Sequence, residues 1–215
     1  KIIDNGHEIG FHTMYHERLD SLGFEEKFSN EVKKFAELTK HKSQGFRAPT
    51  FSLNQSSSWA IDVLAENNYV YDSSIIPAKS NMYGSPNAEH SPYRISSKCI
   101  EKNDSSGKLI EFPLLTTKFL GKKIPAAGGF YLRSLPTRVI KNAIKNYEKK
   151  CMPATFYIHS WELTPEFMPR LDLPLKDKFV TYHNLDKAYP RMSELLKHFE
   201  FTSFSRYIKE KKMIR

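Results

Sequence analysis

HEIGFHTMYHERLDSLGFEEKFSNEVKKFAELTK, His7 to Lys40, contains one strand-to-helix unit, and its reading decides the fold class. In HEIGFH, Ile9 and Phe11 lie two residues apart and share one face of an extended chain. In EEKFSNEVKKFAELTK, Phe28, Val32 and Phe35 recur at helical spacing. The same order returns further along. GFRAP reads as a strand, SSSWAIDVLAENN as a helix with serines for an N-cap and Trp59, Val63 and Leu64 facing inward, and YVYD as a strand. LIEFPL has strand character, and PTRVIKNAIKNYEKK is a helix with Pro136 in its first turn and Val139, Ile140, Ala143, Ile144 and Tyr147 on its apolar stripe. ATFYIHS is strongly β-prone, and a last helix carries Met192, Leu195, Leu196 and Phe199. Strands alternating with helices predict an α/β domain with a parallel sheet, in which functional groups collect where strands end. His12, Arg47, Asp72 and His159 all fall near such ends.

The length of 215 residues suits a single domain covering residues 1–215. From Ser73 to Lys108 the periodicity fades into prolines, serines and asparagines, which reads as a surface excursion rather than a domain boundary. No apolar run approaches the roughly 18 to 20 residues of a membrane span, and KIIDNGHEIG lacks the basic start and apolar core of a secretory signal. Cys99 and Cys151 allow at most one disulfide and sit in no metal-binding spacing. The net charge of +9 is spread over several segments, with its densest run in the terminal RYIKEKKMIR. Dispersed charge of this kind points to a solvated surface, so no nucleic-acid partner is expected; a nucleic-acid-binding domain would instead show binding that weakens steeply with salt.

His12 and His16, at i and i+4, can reach one ion if the segment turns helically, but two imidazoles make an incomplete zinc site. Singly, Arg47 reads as a surface residue, Asp72 as a turn cap and His159 as a hydrogen-bonded core histidine. In AAGGFYLRS, Gly128 and Gly129 read either as a tight turn before the helix at Pro136 or as a place where backbone approaches a sugar that stacks on Tyr131. His7, His41, His90, His183 and His198 read as surface or structural residues.

Taken in order, HTMYH, FRAPTFS, YDSS and FYIHSWE resemble the motifs of the polysaccharide deacetylases of the NodB-homology type, carbohydrate esterase family four, over nearly the whole chain. RAPTFSL, YDSSIIP, IPAAGGFYLRSLP and YIHSWEL are most similar to the bacterial subgroup associated with exopolysaccharide and exosortase gene clusters. The resemblance implies an irregular, seven-stranded, TIM-like (β/α) barrel and a metal-dependent hydrolase that removes N-acetyl groups from a polysaccharide or oligosaccharide. It assigns His12 and His16 to a divalent metal, zinc first with cobalt or nickel as alternatives, which would polarise the acetamide carbonyl and activate water. It assigns the Thr50 backbone N–H to the oxyanion, His159 to protonation of the leaving amine, Asp72 to orienting that histidine, and Arg47 to tethering a catalytic aspartate. Gly129, Tyr131 and Trp161 would line the substrate, with Trp161 walling the acetyl pocket or filling the core. The compartment stays open between bacterial cytoplasm and envelope. The competing readings are a non-catalytic carbohydrate-binding relic and an amidohydrolase acting on a non-sugar C–N bond.

One departure stands out. The family's first motif, an aspartate-rich strand end that supplies the base and a third metal ligand, lies several tens of residues before the histidine motif, and this chain begins at Lys1. Asp4, Glu8 and Asp20 occupy no matching context. The reading is therefore of a fragment lacking its first strand and helix, entered near a helix end that Asn5-Gly6 stops. A barrel without its first strand exposes two sheet edges, so this chain alone is expected to fold poorly. Extending it upstream should raise its thermal midpoint; no gain would count against the expectation.

Overall fold

The strand-like runs of the sequence condense into very short strands whose register does most of the positioning. The computed structural model describes residues 2–79 and 83–213, and the part of the 73–108 excursion at 80–82 lies outside them. Where the sequence reads as one domain, the structure groups into two compact units, Lys1–Pro113 with Thr202–Arg215, and Leu114–Phe201.

In the first unit the chain runs β1 (Gly10–Phe11), α1 (Phe24–Leu38), β2 (Gly45–Phe46), α2 (Trp59–Glu66), β3 (Tyr71–Asp72), β4 (Tyr93–Ile95) and β5 (Leu109–Glu111). The sheet order is β1-β2-β3-β5-β4, with β1, β2, β3 and β5 parallel and β4 antiparallel to β5. Register aligns Phe11, Phe46, Asp72 and Glu111 in one row. Because side chains alternate across a pleat, neighbouring rows face opposite sides. Phe11, Phe46 and Leu109 pack with Phe24, Phe28, Val32, Ile61 and Leu64 from α1 and α2. The Phe28 ring lies 5.6 Å from Phe46 and 5.3 Å from Trp59, and Phe11 lies 4.9 Å from Phe35. This aromatic packing explains why the helical spacing of Phe28, Val32 and Phe35 is obeyed, each buried phenylalanine contributing about 2 to 3 kcal/mol by area. Before β1, Ile3–Asn5 form a single 3-10 turn that Gly6 ends in a left-handed conformation, φ 79°, so the Asn5-Gly6 stop is realised.

The second unit opens with the antiparallel hairpin β6 (Thr116–Phe119) and β7 (Lys122–Pro125), whose turn residues Leu120 and Gly121 both have positive φ. It continues through α3 (Gly129–Ser134), α4 (Thr137–Glu148), α5 (Ser160–Leu163), α6 (Leu175–Tyr182) and α7 (Ala188–His198). In α4, Ile140, Ala143, Ile144 and Tyr147 are buried as their spacing predicts. In α7 only part of the expected stripe turns inward: Leu195 is buried, whereas Leu196, one residue or about 100° further round the helix, is 54% exposed. The chain ends with α8 (Phe204–Glu210) in the first unit, where Phe204 lies 5.0 Å from Tyr71 and 4.7 Å from Phe112 on the sheet face opposite α1.

Two fold expectations are corrected. The sheet of the first unit does not close into a barrel: the antiparallel β4 forms one edge and β1 the other, and among the described residues neither edge is extended. ATFYIHS forms no strand, because Thr155 bridges Leu114 while Tyr157 bridges Gly128, and two separate partners make no continuous ladder. Cys99 and Cys151 are both free. No helix among the described residues is long and apolar enough to cross a membrane.

Gly45 marks the tightest point of the sheet, since a Cβ there would overlap the Tyr71 ring, itself tied by its hydroxyl to Glu8. Gly45→Ala is expected to cost about 1 to 3 kcal/mol of unfolding free energy by overpacking. Chemical denaturation of wild type and variant checks this, and adding Tyr71→Leu should recover part of the loss.

Candidate functional site

The residues that follow the β1 and β2 row, His12 and Arg47, stand side by side at the carboxyl ends of parallel strands, where loops begin. His12 Nδ1 lies 2.6 Å from the Arg47 carbonyl oxygen. A carbonyl only accepts, so Nδ1 carries the hydrogen and, in the neutral ring, Nε2 bears the lone pair. The His16 ring centroid lies 4.9 Å from that of His12 at 76°. His16 is turned toward its neighbour by a left-handed backbone, φ 57°, with Thr13 likewise at φ 53°. The loop is laced to its surroundings: the Met14 N–H donates to Glu31 Oε2 at 2.8 Å, Arg18 Nη1 to Thr50 Oγ1 at 2.6 Å, and the Leu19 N–H to Ser52 Oγ at 3.0 Å. Arg18 also pairs with Asp20 at 2.7 Å. Thr50 itself is left-handed, φ 52°, and so is Phe51, φ 54°, an arrangement a β-branched residue adopts only under strain. Arg47 donates from Nε to the Ser73 carbonyl at 2.8 Å and from Nη2 to Ser73 Oγ at 2.7 Å.

Asp72 and Glu111, partners in register on β3 and β5, are both 0% exposed. Asp72 Oδ1 accepts from Ser74 Oγ at 2.6 Å, and Glu111 Oε1 accepts from the Ile75 N–H at 3.0 Å. Asp72 Oδ2 is buried and finds no donor among the described residues unless its neighbour carries a proton. Burial pushes both acids up. The adjacent Asp72 carboxylate pushes Glu111 well above the usual carboxylate range, while hydrogen bonds from Glu111 and Ser74 and the charge of Arg47 offset part of the rise at Asp72. Glu111 is therefore the more strongly raised of the two acids, held toward its protonated form beside Asp72.

In the second unit His159 begins α5, and its ring is held on three sides. Nδ1 lies 2.9 Å from Glu162 Oε2, which also accepts the His159 backbone N–H at 3.0 Å; the ring stacks on Trp161 at 5.2 Å and 19°, and Tyr157 meets it edge-on at 5.4 Å. Glu162 is buried against Arg133, Nε to Oε1 2.7 Å. Burial alone would raise the Glu162 carboxyl, but its bonds from the His159 ring and N–H and from Arg133 outweigh that and hold it below the ordinary glutamate range. The carboxylate that meets the His159 ring is Glu162, while Asp72 accepts from Ser74 within its own unit. Gly129 is buried under Tyr157, whose hydroxyl would lie 2.5 Å from an added Cβ, and Gly128 would collide with the Tyr157 carbonyl, so packing demands both glycines; Tyr131 is half-buried in α3.

The structure aligns His12, Arg47 and Asp72 along one sheet and gathers His159 and Trp161 in the other unit. Two residues with evident roles escape a reading by motif. Glu162 has a local trace in the spacing His159-x-x-Glu162, an acid in the first turn of α5 whose carboxylate reaches back to the His159 N–H. Glu111 has only its place as a lone acid inside the apolar run LIEF. Among the described residues no group of three or more histidine, cysteine, aspartate or glutamate side chains is placed to hold a metal.

The model of one protein family, a domain of unknown function designated DUF3473, matches residues 73–209, more than half of the chain. The chain belongs to the DUF3473 family. The family segment contains Glu111, Arg133, His159, Trp161 and Glu162 and leaves His12, His16, Arg47, Thr50 and Asp72 before it. No curated protein matches the chain. A solved structure from Mycobacterium smegmatis, described as a candidate polysaccharide deacetylase, is 16% identical with a TM-score of 0.44, over 90% of this chain and 58% of its own.

The buried acid pair gives stability a defined pH dependence. Below the unfolded carboxylate value of about 4, both acids are protonated in both states and cost nothing. Above it the unfolded chain releases protons that the folded chain retains, so stability falls as pH rises toward the raised folded values. The thermal midpoint is expected to drop as pH rises above about 4, and less so in Glu111→Gln, whose unfolded chain has no proton to release at that position. An unchanged slope in the variant would assign the effect to other groups.

Proposed function

We propose that the chain acts as a metal-dependent hydrolase that removes N-acetyl groups from amino sugars of a bacterial polysaccharide. The observation that carries the reading is the committed Nδ1–H of His12 on the Arg47 carbonyl, with the His16 ring at 4.9 Å. A hydrogen bond from the far nitrogen to a carbonyl fixes the tautomer and raises the basicity of Nε2, which is the usual outer support of a metal-binding imidazole. The pair fits a borderline divalent ion, zinc, cobalt or nickel, and contributes two of its ligands. Such an ion, when bound, supplies Lewis-acid polarisation of an amide carbonyl.

The protein's own groups have the remaining tasks. The strained turn at Thr50 is braced by Arg18, and its backbone N–H is assigned to stabilising the oxyanion. Arg47 braces the loop after β3 through Ser73 and is kept for a neighbouring catalytic carboxylate, which the guanidinium fork suits better than an ammonium. His159 protonates the departing amine. Trp161 offers an aromatic wall beside His159, and Gly129 and Tyr131 in α3 stay assigned to the substrate side, the glycine as floor rather than contact. The family is known in polysaccharide deacetylase-related proteins, and the four motifs occur in the order those enzymes show, which supports a deacetylase-like reading.

The test is metal content together with acetate release from N-acetylglucosamine oligomers, measured on the full-length native protein. One bound metal and acetate release, both lost in His12→Ala with activity down by at least about 10²-fold, is the expected result. A folded wild type that binds no metal and is unaffected by His12→Ala sinks the proposal.

A further inference from the structure

We propose that Glu162 is the positioning residue of His159, committing the Nδ1–H of the imidazole so that Nε2 is the nitrogen that exchanges a proton with the substrate. The role of the proton rests on the reading of His159 as the acid; the hold on the ring does not.

Glu162 divides its two oxygens between two partners. Oε1 accepts from Arg133 Nε at 2.7 Å, and Oε2 accepts from both the backbone N–H and the ring Nδ1 of His159. Arg133 is 2% exposed and its other nitrogens are fixed on backbone carbonyls, Nη2 on Val180 at 2.9 Å and Nη1 on Thr181 at 3.3 Å and on His183. A guanidinium has only donors and a fixed fork, so engaging four of its five N–H groups in this way locks the carboxylate it grips. The side chain of His159, by contrast, is 46% exposed. A buried Arg–Glu pair pays heavily in desolvation and is a poor device for stability alone. Here it ends on an exposed imidazole whose faces are set by Trp161 and Tyr157, which is the arrangement of a ring that is oriented rather than merely packed.

An ionised carboxylate can only accept, so the neutral ring holds its hydrogen on Nδ1. Protonation then occurs at Nε2. As the amide C–N bond breaks, its electron pair goes to nitrogen, and the Nε2 proton of the imidazolium passes to that nitrogen. The ring returns to the neutral Nδ1–H form without leaving Glu162, acetate departs with the oxygen of water, and no oxidant or reductant is needed.

Glu162→Gln distinguishes orientation from packing. Arg133 claims the single amide oxygen, which leaves the NH2 facing Nδ1, and a donor there forces the hydrogen onto Nε2. In serine-protease triads the equivalent exchange of carboxylate for amide selects the wrong tautomer. The tautomer is read from nitrogen shifts of 15N-histidine-labelled protein at a pH where the rings are neutral, with His159→Gln identifying the signal among the eight histidines. The wild type is expected to show Nδ1–H, Glu162→Gln to show Nε2–H, and Glu162→Asp to regain Nδ1–H at least in part. In parallel, acetate release should fall about 10²- to 10⁴-fold in Glu162→Gln, the range a general acid contributes, and recover partly in Glu162→Asp. Nε2–H in the wild type, which needs no variant to fold, or an unchanged tautomer in Glu162→Gln, overturns the positioning role whatever the acetate assay gives. A tautomer switch in a protein that releases no acetate leaves Glu162 as the residue that sets His159 and sinks the deacetylase reading instead.

Discussion

Everything assembled in the first unit depends on the register of four short parallel strands. Phe11, Phe46, Asp72 and Glu111 occupy one row, so the residues after them, His12, Arg47, Ser73 and Phe112, arrive at the next level together. A slip of one residue would exchange the faces of a strand and carry its phenylalanine out of the aromatic core. The bulk of Phe11 and Phe46 against Phe28 therefore sets the height at which His12 meets the Arg47 carbonyl. Core packing and site geometry are one constraint seen from two sides of a peptide bond.

Both candidate histidines obey the same chemical rule by different means. His12 spends its Nδ1–H on a backbone carbonyl, a neutral acceptor supplied by the neighbouring strand end. His159 spends its own on a buried carboxylate anchored to arginine. Both acceptors only accept, so each neutral ring keeps its hydrogen on Nδ1 and its lone pair on Nε2.

The helices α1, α2, α4 and α7 were readable because they depend on local periodicity: Phe28, Val32 and Phe35, or Ile140, Ala143, Ile144 and Tyr147, need only the chain's own repeat to declare a face. The closure of the sheet was not, because whether β4 runs with or against β5 is decided by a long connection with no periodicity of its own. ATFYIHS has the composition of a strand, yet pairing depends on its partners, and Thr155 and Tyr157 have different ones. His12, Arg47 and Asp72 could be picked out by their places at strand ends, and His159 only by its place in a β-prone run that forms no strand. Glu162 and Glu111 could not, because what makes them matter is burial beside Arg133 and Asp72, residues 29 and 39 positions away along the chain. Motif order alone says nothing of the contact between Glu162 and the His159 ring.

The proton kept by Glu111 alters how the molecule counts its charge. The formal +9 treats all twenty-four acidic side chains as ionised at neutral pH. With Glu111 held toward its protonated form inside the sheet, the folded protein carries less negative charge than its composition states wherever the unfolded chain has already released that proton. Over that range folding draws hydrogen ion from the surrounding buffer, and its measured heat would include the ionisation enthalpy of whichever buffer supplies it.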